Sequence, residues 1–133
     1  MKRFLLMLMM VFTVTCVSAQ IYTYRTTEFA YKTMNNYGRW NNWTDWESSN
    51  VLITINFTTD VVKIYSPKTQ IYKITEFTRR FTDNSGGNQV EFKFIDQDYD
   101  RGTMRLRIER NGNSQLYVEF ADIIWVYNVR RTN

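Results

Sequence analysis

The stretch Thr103 to Phe120, TMRLRIERNGNSQLYVEF, constrains the fold more than any other part of the chain. Met104, Leu106 and Ile108 alternate with Arg105, Arg107 and Glu109, Asn111-Gly112 interrupts, and then Leu116, Val118 and Phe120 alternate with Tyr117 and Glu119. A period of two sends successive side chains to opposite faces of a strand, and Asn-Gly supplies the positive φ that a tight hairpin turn needs. The pattern predicts a β-hairpin with one apolar and one charged face. On the charged face Arg105, Arg107 and Arg110 are expected to balance Asp96, Asp98, Asp100 and Glu109, leaving no basic patch for a polyanion.

The same alternation recurs along the chain. Val51, Ile53, Ile55 and Phe57 share one face of a strand whose other face carries Thr54 and Asn56, and Val90, Phe92 and Phe94 alternate with Glu91 and Lys93. VVKIYS (Val61 to Ser66) follows the Thr58-Thr59-Asp60 turn, and Ser66-Pro67-Lys68-Thr69 turns again with Pro where a fixed φ is useful. Gln70 to Phe81 predicts a further strand that changes face near Glu76, and Asp83 to Asn88 reads as the most flexible loop. In Ile21 to Met34, Phe29 and Tyr31 share a face with Arg25 while Tyr22 and Tyr24 share the other, which calls for a bulge or a strand wet on both sides. Ile123 to Val129 is apolar on both faces and is expected to be covered on both.

No segment shows helical periodicity. About eight strands with short connections predict an all-β, single antiparallel meander that closes, or nearly closes, into a barrel, with a β-sandwich as the alternative. Closure is favoured because an edge as apolar as Ile123 to Val129 would otherwise invite aggregation.

The N-terminus carries a different signal. Lys2 and Arg3 precede an apolar run from Phe4 to about Val14, and Val17-Ser18-Ala19 follows, which predicts a cleavable signal peptide over 1–19 and one domain over 20–133. The apolar run is about half of the roughly 20 residues that a membrane span requires. Thr13-Val14-Thr15 before Cys16 lacks the Leu and small residue of a lipid-attachment site. Cleavage would leave 133 − 19 = 114 residues, a size for one core, and would lower the net charge from +4 to +2 by removing Lys2 and Arg3. So small a charge does not point to nucleic acid. The remaining chain has no cysteine, so packing of its aromatic side chains must supply stability in place of disulfides.

Chemistry is bounded by what is missing. With no histidine anywhere and the single cysteine inside the predicted signal, a Ser-His-Asp triad, a Cys-His dyad and a His or thiolate zinc site are excluded. Glu76, Glu91, Glu119 and Asp122 are the candidate catalytic carboxylates, but nothing in their spacing pairs them as a glycosidase would require. Asp96 to Gly102, DQDYDRG, resembles the start of a calcium loop, yet the flanks read as strands and Arg107 stands where a ligating Glu would be needed. It is expected to be a solvated turn. The sequence calls for no cofactor, no metal and no catalytic residue.

The strongest candidate for ligand binding is the polar loop NNYGRWNNWTDWESSN, which carries Tyr37, Trp40, Trp43 and Trp46. Trp every third residue among Asn and Asp is the chemistry used to stack sugars or to grip peptides, although a Trp in such a loop can equally plug the end of a barrel.

The fragments EFAYKT, WNNWTDWESSNVLITI, IYSPKTQIYKI, FIDQDYDRGTMRLRI and LYVEFADIIWVYNV resemble small exported proteins of unknown function from gut Gram-negative bacteria, of calycin or lipocalin-like barrel type. The resemblance implies a barrel located in the periplasm, on the outer surface or outside the cell, and implies no activity. The expected function is a non-catalytic binding domain whose barrel interior or mouth takes a small apolar or amphipathic molecule. The alternative is a surface module binding a glycan or an envelope protein, such as a hydrolase, through the Trp40/Trp43/Trp46 loop.

Overall fold

A computed structural model describes residues 21–109 and 113–133; the predicted signal peptide and the Asn111-Gly112 turn lie outside the described residues. The described chain is all-β. Its strands are β1 (Ile21–Thr33), β2 (Glu47–Ser48), β3 (Leu52–Asn56), β4 (Val61–Ile64), β5 (Gln70–Thr82), β6 (Asn88–Asp96), β7 (Arg101–Ile108), β8 (Asn113–Glu119) and β9 (Ile123–Arg131). From β3 to β9 each strand pairs antiparallel with the next. β1 closes the sheet by pairing with β3 through Ile21–Arg25 and with β9 through Tyr24–Thr33. The result is a closed eight-stranded barrel with the two-residue β2 added against β1. Closure removes the exposed edge that β9 would otherwise present.

The hairpin β7–β8 has the register its alternation predicts, with Met104 opposite Val118 and Leu106 opposite Leu116, all four buried inside. Ile53, Ile55, Val62, Ile64, Phe92 and Phe94 complete the same interior. In β9 the outward Val126 is as buried as the inward Val129, while the outward Ile124 and Asn128 are half-buried, so the outer face is covered only in part. An eight-stranded barrel is just wide enough for side chains to fill, and here the centre is filled. Tyr72 meets Phe94 edge-on at 4.8 Å, Phe94 meets Phe120 at 5.3 Å, and Phe120 meets Trp125 at 5.4 Å.

Two strands break the period of two. β1 shifts register between Thr26 and Glu28, which brings Tyr24 on one side of the break and Phe29 on the other both to the interior. β5 shifts twice, at Ile74/Glu76 and again at Phe77/Arg79. A bulge inserts one residue into the alternation and so re-aims every side chain after it. The expected change of face near Glu76 is therefore present, and a second one follows it.

The charged face differs from expectation in part: Arg107 does balance Glu109, Arg110 lies outside the described residues, and the other partners are new. Arg107 binds Asp83 at 2.7 Å and Glu109 at 2.5 Å, and Arg105 binds Glu119 at 3.1 Å, whereas Asp96, Asp98 and Asp100 sit at the other end of β6 and β7. Antiparallel strands place Asp96 near Arg101, not near Arg107. The Asp96 carboxylate instead accepts the N–H groups of Asp98 and Asp100, closing the turn in which Tyr99 takes a φ of 65°. Among the described residues no group of three or more His, Cys, Asp or Glu is placed to hold a metal ion. No described helix is long and apolar enough to cross a membrane.

Candidate functional site

The strand lengths divide the barrel into two unlike ends. At one end lie the β3–β4 and β5–β6 connections with the end of β7 and the start of β8; at the other lie the long β1–β3 connection with its tryptophans and the β4–β5, β6–β7 and β8–β9 turns.

The first end is open because neighbouring hairpins differ in length. β4 pairs with β5 only as far as Val61 opposite Lys73, with one further link from the Ile74 N–H to the Asp60 carbonyl at 2.8 Å. β5 and β6 continue together to Thr82 opposite Asn88. The wall is thus low at the β3–β4 turn and high at the β5–β6 hairpin. Phe57, just past the end of β3, lies in the gap with its ring 5.5 Å from Tyr22, 5.6 Å from Phe77 and 6.4 Å from Phe92.

Beneath this rim is a cavity of about 550 Å³. Its walls are Tyr22, Tyr24, Phe57, Phe77, Val90, Leu106 and Ile108, and Arg80 and Arg131 complete its lining. Phe77 is 51% and Ile108 41% exposed, so apolar surface faces water at the mouth. Arg80 reaches this side through the second β5 bulge, which sets it opposite the inward Val90. Arg131 follows Tyr127 and Val129 on the inner face of β9 and lies 4.5 Å over the Tyr22 ring. Burial pushes the pKa of the Tyr24 hydroxyl up, and the positive charge of Arg131 works against that shift. The hydroxyl therefore remains a protonated hydrogen-bond donor across the neutral range.

At the opposite end the interior is closed. The Tyr72 hydroxyl donates to Gln70 Oε1 at 2.5 Å, and burial raises the pKa of both Tyr72 and Tyr127. Beyond them a shallower cavity of about 270 Å³ is lined by Phe29, Tyr31, Gln70, Ile123, Trp125 and Tyr127.

The tryptophan loop does not plug this end. It runs back along the outside of β1, with Asn41 N–H donating to the Thr33 carbonyl, Thr44 N–H to the Tyr31 carbonyl and Tyr31 N–H to Thr44 Oγ1. The unpaired edge of β1 needs such partners, and the loop supplies them without regular strand geometry. Lys32 holds two of the indoles together, its Nζ lying 5.4 Å from the Trp40 ring and 4.7 Å from the Trp43 ring. Trp43 is 42% and Trp46 46% exposed. Tyr37 projects from the loop tip, where the Asn35 side chain accepts the N–H groups of Tyr37 and Arg39 and Gly38 takes a φ of 73°. Trp40 and Trp43 are brought together; Tyr37 stands apart in the turn.

Of the four candidate carboxylates, Glu76, Glu91 and Glu119 are engaged on the outer wall, and Asp122 lies in the β8–β9 turn, where its backbone carbonyl accepts the Met34 N–H. Glu119 is bound by Arg105, Glu76 lies 3.7 Å from Lys93, and Glu91 accepts from Thr78. Of the mouth residues, Ile108 was legible as part of the hairpin's apolar face, whereas Phe77, Arg80 and Arg131 were not among the candidate site residues. The four come from β5, β7 and β9, and the only other local signal was the broken alternation around Glu76. No family model matches the chain, and neither a curated protein nor a solved structure matches it, so the reading of both ends rests on their geometry.

Proposed function

We propose that this chain is a non-catalytic binding domain, exported by its N-terminal segment, that takes a small apolar or amphipathic molecule into the mouth of its barrel. The observation that carries this reading is the cavity of about 550 Å³ beneath Phe57, Phe77 and Ile108. Its volume lies within the range of about 300–1,000 Å³ typical of small-molecule sites, and such sites are mostly apolar with a few convergent polar groups. Because Phe92 and Phe94 fill the centre, the ligand sits at the mouth and does not pass through the barrel. The engagement of Glu76, Glu91 and Glu119 on the outer wall supports a role without catalysis.

The test is a fluorescence titration with N-phenylnaphthylamine, a neutral apolar dye. Saturable enhancement that is lost in Ile108→Asp and kept in Trp43→Ala is expected. Failure of the folded wild-type protein to bind the dye sinks the reading.

A second reading, recognition of a glycan or an envelope protein through the loop, is favoured by the exposure of Trp43 and Trp46. It predicts that Trp43→Ala or Trp46→Ala abolishes capture on a glycan array or from envelope extract while leaving dye binding intact.

A further inference from the structure

We infer that the mouth is built for an anionic amphipath: a molecule with an apolar tail against Phe57, Phe77 and Ile108 and a single acidic head between Arg80 and Arg131. The inference rests on the proposed mouth site and adds the charge of its ligand. Two arginines line the cavity and no carboxylate does. Neither arginine forms an ion pair with any described residue; Arg131 makes only a long contact of 3.4 Å to Asn133 Oδ1 besides its stacking on Tyr22. On the outer wall Arg105 and Arg107 each have a carboxylate partner, and the acids near the mouth residues in sequence are engaged there too: Asp83 and Glu109 by Arg107, Glu76 by Lys93, and Glu91 by Thr78.

Leaving two guanidinium groups unpaired beside an apolar surface creates a local positive potential with low-dielectric walls, which attracts and orients an anion. Arginine suits a carboxylate, sulfate or phosphate head because its fork of N–H groups matches two acceptor oxygens. The protonated Tyr24 hydroxyl lines the same cavity and offers a further donor. Such a head occurs on a free acid with one tail and on a phospholipid in a membrane. The notch, bounded by the β3–β4 turn and the β5–β6 hairpin, encloses a molecule of limited size, and we assign the free acid.

The experiment displaces N-phenylnaphthylamine with decanoate and with decanol, which share a tail and differ in charge, using the wild type, Arg80→Ala and Arg131→Ala, each checked for an unchanged melting transition. Decanoate should compete at least about tenfold more strongly than decanol, and each arginine variant should lose most of that preference. Arg80 is exposed and forms no ion pair with a described residue, so its variant keeps the test decisive if Arg131→Ala unfolds. Equal competition by the acid and the alcohol, or a preference unchanged in Arg80→Ala, overturns the inference and leaves the mouth site standing. Absence of dye binding in the wild type removes the mouth site itself. Sedimentation with phosphatidylglycerol vesicles should leave the protein in the supernatant; sedimentation that depends on Arg80 would transfer the acidic head to a membrane and overturn the assignment to a free acid.

Discussion

At the scale of single residues, Asp83 shows how much of an ordered loop can depend on one carboxylate. Its Oδ1 accepts the N–H groups of Ser85 and Gly87, and its Oδ2 accepts from Gln89 Nε2 at 2.9 Å and Arg107 Nε at 2.7 Å. Arg107 first, and Gln89 after it, hold the Asp83 carboxyl well below the usual carboxylate range. A group whose folded pKa is depressed contributes stability that is present above its unfolded value, about 4, and is lost as pH falls through its folded value. Asp83→Asn should therefore melt below the wild type at about pH 6, with the gap narrowing toward about pH 2. A gap that stays constant across that range would show that the carboxylate is not the cause. Composition alone made Asp83 to Asn88 look like the loosest loop, because Gly, Asn and Ser give no sign of an arginine partner on a strand folded against it. Gly102 is a second residue with an unseen constraint. A Cβ there would lie 2.5 Å from the Glu119 carbonyl oxygen and 2.5 Å from Phe94 Cζ, so Gly102→Ala should cost about 1–3 kcal/mol in urea unfolding, by overpacking.

At the scale of elements, strands with unbroken alternation were legible and strands with bulges were legible only in part. β3, β6, β7 and β8 follow their period of two into the expected faces, because burial on one side of a sheet fixes register. In β1 the aromatic residues fell on both faces, and the bulge at Thr26/Glu28 is what reconciles them. The second bulge of β5 had no such signature, and with it the inward position of Arg80 went unseen. The tryptophan loop was legible in composition and not in placement. Its hydrogen bonds go to β1 because that strand outruns β3, a fact of topology that the loop's own residues do not encode. The loop lies outside the core, and this has a measurable consequence. Trp43→Ala should lower stability by about 1 kcal/mol or less, the size of an exposed cation–π contact. Phe92→Ala, at the centre of the barrel, should cost about 3–5 kcal/mol. Equal losses in chemical denaturation would place the Trp43 indole in the core.

At the scale of the whole molecule, the fold follows from a sequence that alternates almost everywhere and would leave an apolar edge at β9 if it stayed open. Closure by β1 solves that problem, and aromatic packing fills the interior without disulfides. What closure does not equalise is the height of the wall. The short β3–β4 hairpin beside the long β5–β6 hairpin leaves the mouth, and the mouth gathers Phe77, Arg80, Ile108 and Arg131 from strands far apart in sequence. That assembly could not be read from any one stretch, whereas the tryptophans, clustered in one stretch, stood out at once. Binding, as proposed, belongs to the mouth. An amide-resolved NMR titration with N-phenylnaphthylamine tests it most directly: the largest shift changes should fall on Phe57, Phe77, Val90, Leu106 and Ile108 with the Trp40, Trp43 and Trp46 signals unmoved, and changes centred on those tryptophans would contradict it.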